Sequence, residues 1–411
     1  MNKTLIKKYA KVIAVKGINL RKNQQVCIYA PISAASFVEV LVEQLYKAKA
    51  SRVHVEWSNQ SIMKTKIKYE SENTLKELPE YVESKAKYFY DNRIARISIS
   101  SSDPDGLKGI DFKKLKISRQ VSSKLDKYLS DPYMASLVQW CVVAVPNVKW
   151  AKKVFPNLSN AKAVDALWDA ILKANYIDLK NDPIKVWQEH DDKLHNLAMK
   201  LNSYNFTSLK YKASNGTNFE VGLVKDHIWA GGSEGNVDDI PEFNPNMPTE
   251  EIFTMPHKDK VNGKVVSTKP LSYQGNLIED FYLVFKDGEV IEAKANKGQE
   301  ALDSLLNTDK GSRRLGEVAL VEYHSPISMS NILFYNTLFD ENASCHLALG
   351  NAYSMNIKDG TITPEEKLEP LGYNKSLVHV DFMIGTSDLS IIGVKEDGSE
   401  VVVFKDGDFA L

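Results

Sequence analysis

Several absences bound what this chain of 411 residues can be. Cysteine is scarce. Cys27, Cys141 and Cys345 are the three present, in no spacing motif, which argues against a disulfide framework. Cys27 and Cys141 lie in apolar, strand-like runs and read as small buried residues. Cys345, beside His346, reads as a packing neighbour rather than a nucleophile. Long hydrophobic runs are missing too: the most apolar stretch, residues 137–145 (LVQWCVVAV), is far too short to span a bilayer. Lysines at 3, 7, 8, 11 and 16 break any signal-peptide core, so the expectation is a soluble protein of the cytoplasm. Charge of one sign is also lacking. With 52 basic and 53 acidic residues the net charge is -1, and no global attraction to nucleic acid or an anionic membrane follows. No GxGxxG follows the first strand-like run and no GxxxxGK[ST] occurs, which leaves the familiar nucleotide sites unsupported. Internal repeats and low-complexity segments are absent.

What remains is ordinary globular composition, 43% apolar and 26% charged. The length exceeds what one core usually supports, so two domains are expected. Leu5, Ile6, Tyr9, Val12 and Ile13 fall on one helical face, with Gly17 as a stop. Residues 26–30 (VCIYA) form a short apolar run. A helical pattern through Phe37, Val38, Leu41, Val42, Leu45 and Tyr46 follows it, and then the alternation of Val53, Val55 and Trp57. That is a βαβ unit and implies parallel strands. Further strands are expected at 97–99 and 142–145, with helices near 80–92, 147–155, 160–175 and 183–202. Residues 1–195 therefore read as an α/β layered domain. Beyond about residue 200 the texture changes to short β-rich runs around Asn215-Gly216, Asp287-Gly288, Asp359-Gly360, Asp397-Gly398 and Asp406-Gly407, which read as hairpins. One helix is expected near 298–306. Residues 196–411 thus read as an α+β domain rich in antiparallel strands.

All histidines but His54 lie after residue 189. His379 and Asp381 sit in the apolar run 376–384 (SLVHVDFMI), where period-two geometry puts both on one face of a strand. Two polar side chains there need a partner. A metal ion is one, since imidazole and carboxylate suit zinc, cobalt or manganese; a buried His–Asp hydrogen bond is the other. Glu317 lies in another apolar run, 316–321 (GEVALV), where a carboxylate is costly unless paired or ligated. The plainer alternative is an edge position at a strand start. His346 precedes Tyr353 by seven residues in CHLALGNAY. That is about two turns of a helix, although Gly350-Asn351 suits a loop equally. A phenol near a metal can donate to a developing oxyanion, while an ordinary core tyrosine is the plainer reading. Glu250-Glu251 fall in a proline-pinned segment, 246–256 (NMPTEEIFTMP), of the kind that mounts ligands. The alternatives there are an exposed acidic pair or a helix start capped by Thr249. Three carboxylates, two histidines and a tyrosine are about the inventory that two metals bridged by a carboxylate require.

At these motifs the sequence resembles the M29 family of metallo-aminopeptidases, the aminopeptidase T and aminopeptidase S group. The resembling segments are NMPTEEIFTMP, LGEVALV (315–321), HLALGNAY (346–353) and HVD (379–381), supported by NGTNFEVGL (215–223) and WAGG (229–232). The resemblance runs over essentially the whole chain. It implies an exopeptidase with two divalent metal ions that removes N-terminal residues from peptides, and a homodimer whose active sites face an internal cavity. It implies Glu251, Glu317, His346, His379 and Asp381 as ligands, with Glu251 preferred over Glu250, and Tyr353 beside the metals. In that mechanism Glu317 is the candidate for the base or for holding the attacking water. Two rival readings use the same residues. One is another dinuclear hydrolase, an amidase or a phosphoesterase, for which Arg313 and Arg314 near Glu317 offer phosphate-binding charge. The other is a peptide-binding scaffold in which these residues are structural.

Overall fold

A computed structural model describes residues 2–235 and 240–411. The chain divides into two compact units, one of Met1–Glu189 with Ser233–Pro248, the other of His190–Gly232 with Thr249–Leu411. The sequence reading puts the division at 195/196. The division by contacts falls six residues earlier and returns a short segment to the first unit. Backbone hydrogen bonds account for that return: Val142 N–H donates to the Pro245 carbonyl at 2.6 Å, and Met247 N–H to the Val142 carbonyl at 3.0 Å. No local sequence pattern announces such a pairing.

The first unit is built on a four-stranded sheet in the order Arg52–Ser58, Gln25–Pro31, Ala95–Ser100, Trp140–Ala144. All three pairings are parallel, as the βαβ reading requires. The crossover helix Ala35–Lys47 buries Phe37, Val38, Leu41 and Leu45 of the predicted stripe, while Val42 is half-buried and Tyr46 is exposed. The first helix, Lys3–Val12, is capped by the Asn2 side chain and runs on into a single π turn at Ile13–Gly17. Tyr9 packs on Phe37 and Trp168 with ring centroids 5.5 and 6.4 Å away. The remaining predicted helices appear as Glu80–Asp91, Val148–Val154, Asn160–Ala174 and Pro183–Tyr204.

The second unit carries two antiparallel sheets. The larger has nine strands, and its longest hairpin joins Asn276–Lys286 to Glu289–Lys297. Asp287 and Gly288 both take positive φ there, 49° and 80°, the geometry that Asp-Gly favours in a tight hairpin. Asn215-Gly216, Asp397-Gly398 and Asp406-Gly407 also lie between paired strands. Asp359-Gly360 does not: it opens the 3-10 turn Gly360–Ile362 instead. The helix Gln299–Leu306 buries Leu302, Leu305 and Leu306. The smaller sheet has the order His379–Met383, His346–Gly350, Leu315–Leu320, Ile252–Thr254, Ala230–Gly231. No helix of the described residues is long and apolar enough to cross a membrane.

Candidate metal centre

The smaller sheet sorts its residues by face. Val318, Leu320, Leu347, Leu349 and Phe382 belong to the main apolar core of the unit. Period two then turns Glu317, His346, His379 and Asp381 to the opposite face. Register places them side by side: Glu317 pairs Ala348 and Ala348 pairs Asp381, while Ala319 pairs His346 and Gly350 pairs His379. The positions between the polar groups are therefore Ala319, Ala348 and Gly350, whose small side chains leave the space above them open. At Gly350 φ is +108° and an added Cβ would lie 2.0 Å from the Val378 carbonyl oxygen, so the close approach of the His379 strand depends on glycine there. His346–Gly350 is a strand, not a helix, and Tyr353 follows in a loop. Its ring stands 4.6 Å, centroid to centroid, from that of His379.

Glu317 is shared. Its Oε1 lies 3.4 Å from His346 Nε2 and its Oε2 lies 3.7 Å from His379 Nε2. Glu251 Oε2 closes the first side at 3.1 Å from His346 Nε2, and Asp381 Oδ1 the second at 3.3 Å from His379 Nε2. Each imidazole directs its Nδ1 at a backbone carbonyl, His346 at Ser344 (3.1 Å) and His379 at Asn351 (2.7 Å). With Nδ1–H donating there, each Nε2 is left facing the carboxylates, free to ligate or to carry a proton.

The electrostatics follow from crowding four acids on one face. Burial pushes the Glu317 carboxyl up, and the His346 contact pulls against it. Burial opposes charge on His346, but Glu251 and Glu317 outweigh it and hold its imidazole well above the usual histidine range. His379 is raised to about 9: burial works against the proton, and Asp381 and Glu317 more than compensate. The fourth acid is Glu341, in the turn Glu341–Ala343. Burial first, then Glu251 and Asp381, push it well above the carboxylate range. Sequence reasoning missed it, because a short turn carries no periodicity and only its approach to the other acids singles it out.

Neighbouring groups divide into those that serve this face and those that do not. Glu250 and Glu251 point different ways: Glu251 meets His346, while Glu250 Oε2 lies 3.9 Å from His190 Nε2. The Thr249–Glu250 peptide, one residue before Glu251, is fixed on both sides. Asn342 Oδ1 accepts from Glu250 N–H at 2.7 Å, and the Thr249 carbonyl accepts from His190 Nε2 at 2.7 Å. Asn342 is fully buried and its Nδ2 also donates to the Leu338 carbonyl at 3.2 Å. Asn342→Ala should therefore loosen Glu251: an expected cost of about 1–3 kcal/mol in stability, with metal affinity weakened about 10–100-fold. Chelator competition checks the second figure, and an unaltered affinity would show that Glu251 is placed without Asn342. Arg313 and Arg314 serve other ends. Arg313 donates to the Val290 carbonyl and Asn307, Arg314 to the Lys258 carbonyl and Asp259. Cys345 faces the core, hydrogen-bonded to the Val321 backbone, and burial pushes its thiol up to about 12. Glu322, just past the strand, pairs with Lys193.

The donors fit divalent ions. Glu251, Glu317 and His346 offer ligand atoms within 4.8 Å of one another, and so do Glu317, His379 and Asp381. Oxygen and imidazole nitrogen are the donors that zinc, cobalt and manganese accept. Asp381 Oδ1 is buried and accepts no well-aligned hydrogen bond, despite its short distance to His379. An ion is the kind of partner such an atom lacks.

Comparison with known proteins agrees over the full length. Residues 2–409 match the family model described as thermophilic metalloprotease (M29). Aminopeptidase 2 of Geobacillus stearothermophilus is 43% identical over 403 residues, 98% of this chain and 97% of that protein. Aminopeptidase AmpS of Bacillus subtilis is 42% identical over 402 residues, again 98% of this chain and 97% of the relative. The solved structure of wild-type AmpT from Thermus thermophilus superposes with a TM-score of 0.91 at 35% identity, covering 100% of each chain. The chain belongs to the M29 family of metalloproteases.

Proposed function

We infer that the protein is a metal-dependent aminopeptidase whose dinuclear centre is held by Glu251, Glu317, His346, His379 and Asp381. The observation that carries this reading is the shared carboxylate: each Glu317 oxygen faces a different histidine, and each histidine has its own second acid. That is the donor pattern for two ions bridged by one carboxylate. The full-length relatives named aminopeptidases support peptides with a free N-terminus as substrates. The phosphoesterase alternative loses its support, since the partners of Arg313 and Arg314 lie outside the centre. Zinc, cobalt and manganese are the candidate ions. The three cysteines are unpaired and buried, which fits the reducing cytoplasm. The homodimer rests on the family resemblance.

A pair of divalent ions bound there supplies Lewis acidity and a water of lowered pKa. The protein groups do the rest. Glu317, with both oxygens turned to the two histidine sides, is a ligand rather than a base. Glu341 stands outside both groups of ligand atoms. It lies within electrostatic reach of Glu251, Asp381, His346 and Glu317, and as the acid beside the centre that is left out of the ligand groups it is our candidate to accept the attacking water's proton and return it to the leaving amine. Tyr353, whose phenol burial and four surrounding acids keep protonated, donates to the oxyanion as it forms. Tyr353→Phe should lower kcat about 10–1,000-fold with a smaller change in KM; an unchanged kcat removes Tyr353 from the mechanism.

The direct test is hydrolysis of a leucyl arylamide by metal-loaded protein beside an N-acetylated control. Cleavage confined to the free amine is the expected result. Cleavage of both compounds indicates an amidase, and cleavage of neither by folded, metal-loaded protein overturns the reading.

A further inference from the structure

A cavity of about 210 Å³ lies beside His379 and Asp381. Its floor is tied to the metal centre by register. Met383 follows Asp381 by two residues on the strand His379–Met383 and so shares its face, and it pairs with His346 on the neighbouring strand. Leu271, Tyr273, Leu333 and Tyr335 supply further apolar wall. The volume is that of about seven water molecules, which is room for one side chain of leucine to phenylalanine size.

One wall is held in an unusual shape. Asp340 accepts from the Phe334 N–H at 2.8 Å through Oδ1 and from the Asn336 N–H at 2.9 Å through Oδ2. Between them Tyr335 takes φ +54°, a left-handed conformation that L side chains rarely adopt. Phe334 stacks on Phe339 with centroids 4.5 Å apart, which anchors the segment from below. Strained backbone held by its surroundings at the edge of a reactive centre serves to aim a side chain. Among the described residues, Asp340 is the only charged group lining the cavity besides His379 and Asp381. Both its oxygens are engaged by backbone, and Lys269 stands within electrostatic reach. The cavity therefore offers no uncommitted anion to a cationic side chain.

Resting on the aminopeptidase reading above, we propose that this cavity takes the side chain of the released N-terminal residue, selects uncharged aliphatic and aromatic groups, and has its size limit set by Leu333 and Tyr335. The bond lengths of the substrate point to that residue. Its Cα is bonded directly to the attacked carbonyl carbon, so its side chain leaves from an atom next to the reacting centre. The following residue's side chain is one bond further away, beyond the scissile nitrogen.

The experiment compares kcat/KM for alanyl, leucyl, phenylalanyl and arginyl arylamides in the metal-loaded wild type, Leu333→Trp and Leu333→Ala, with metal content measured in each. Leu333→Trp fills the cavity, and the leucyl-to-alanyl and phenylalanyl-to-alanyl ratios should fall about tenfold or more. Leu333→Ala enlarges it, and the phenylalanyl-to-leucyl ratio should rise. Opposite shifts from two substitutions at one position are not a pattern that general damage produces. Ratios unmoved in both variants, at unchanged metal content, overturn the proposal. So does an arginyl preference in the wild type that disappears in Asp340→Asn. If the wild type cleaves none of the four, the aminopeptidase reading fails first and the pocket assignment goes with it.

Discussion

Glu317→Gln is expected to strip the protein of metal and to lower kcat by about a thousandfold or more. The expectation rests on the position of one side chain. Glu317 is 5% exposed, faces His346 with one oxygen and His379 with the other, and belongs to both groups of ligand atoms. An amide of the same shape offers one weak acceptor and an NH₂ group that repels a cation, so it cannot bridge. The fold should survive, since the core on the other face of the sheet is untouched. Metal per chain, measured by elemental analysis after gel filtration, is the first readout and turnover the second. Glu341→Gln is the paired control: it should keep its metal and lose kcat. Full metal content in Glu317→Gln would show that the two sides are held independently.

Removal of metal from the wild type should have the second largest effect, on stability as well as on activity. Glu251, Glu317, Glu341 and Asp381 converge, with His346 and His379 beside them among the described residues. Without an ion, burial beside other acids works against the charged forms of Glu317 and Glu341, and crowding acids in such a place is costly. A divalent ion present at about a thousand times its dissociation constant stabilises the folded chain by about 4 kcal/mol. For a chain of this size that shifts Tm by about five degrees. The thermogram after chelation should drop accordingly, arylamide hydrolysis should vanish, and both should return with zinc, cobalt or manganese. A chelated protein, verified free of metal, that keeps its Tm and activity would falsify a metal role for this cluster.

Much of this was legible because strands expose their pattern. His379 and Asp381 lie two apart in an apolar run, and alternation alone puts them on one face. Glu317 stands out as a carboxylate that an apolar strand cannot hold without company. The parallel character of the first sheet follows from a strand, a helical stripe and a second strand in succession. Other features leave no local trace. Helix and loop stayed open for His346 to Tyr353 because Gly350-Asn351 gives no period to read, and the strand became definite only through its pairing with Glu317's strand. The Glu250 and Glu251 side chains are neighbours in sequence, and only three-dimensional placement sends one to His190 and the other to His346. Asp359-Gly360 has the dipeptide of a hairpin without strands on either side to make one. The cavity wall at Tyr335 depends on a contact from Asp340 to backbone amides, which no composition rule anticipates.

The orientation of Cys345 reaches beyond packing. It precedes His346 directly, so alternation turns its sulfur away from the ligand face and into the core. Among the described residues the grouped ligand atoms are oxygen and nitrogen, with no thiolate beside them to favour thiophilic metals. Uptake of zinc, cobalt or manganese should then follow supply rather than a trapping thiolate. Cobalt-substituted protein should accordingly show weak ligand-field bands in the visible spectrum, with no sulfur-to-cobalt charge-transfer band in the near ultraviolet.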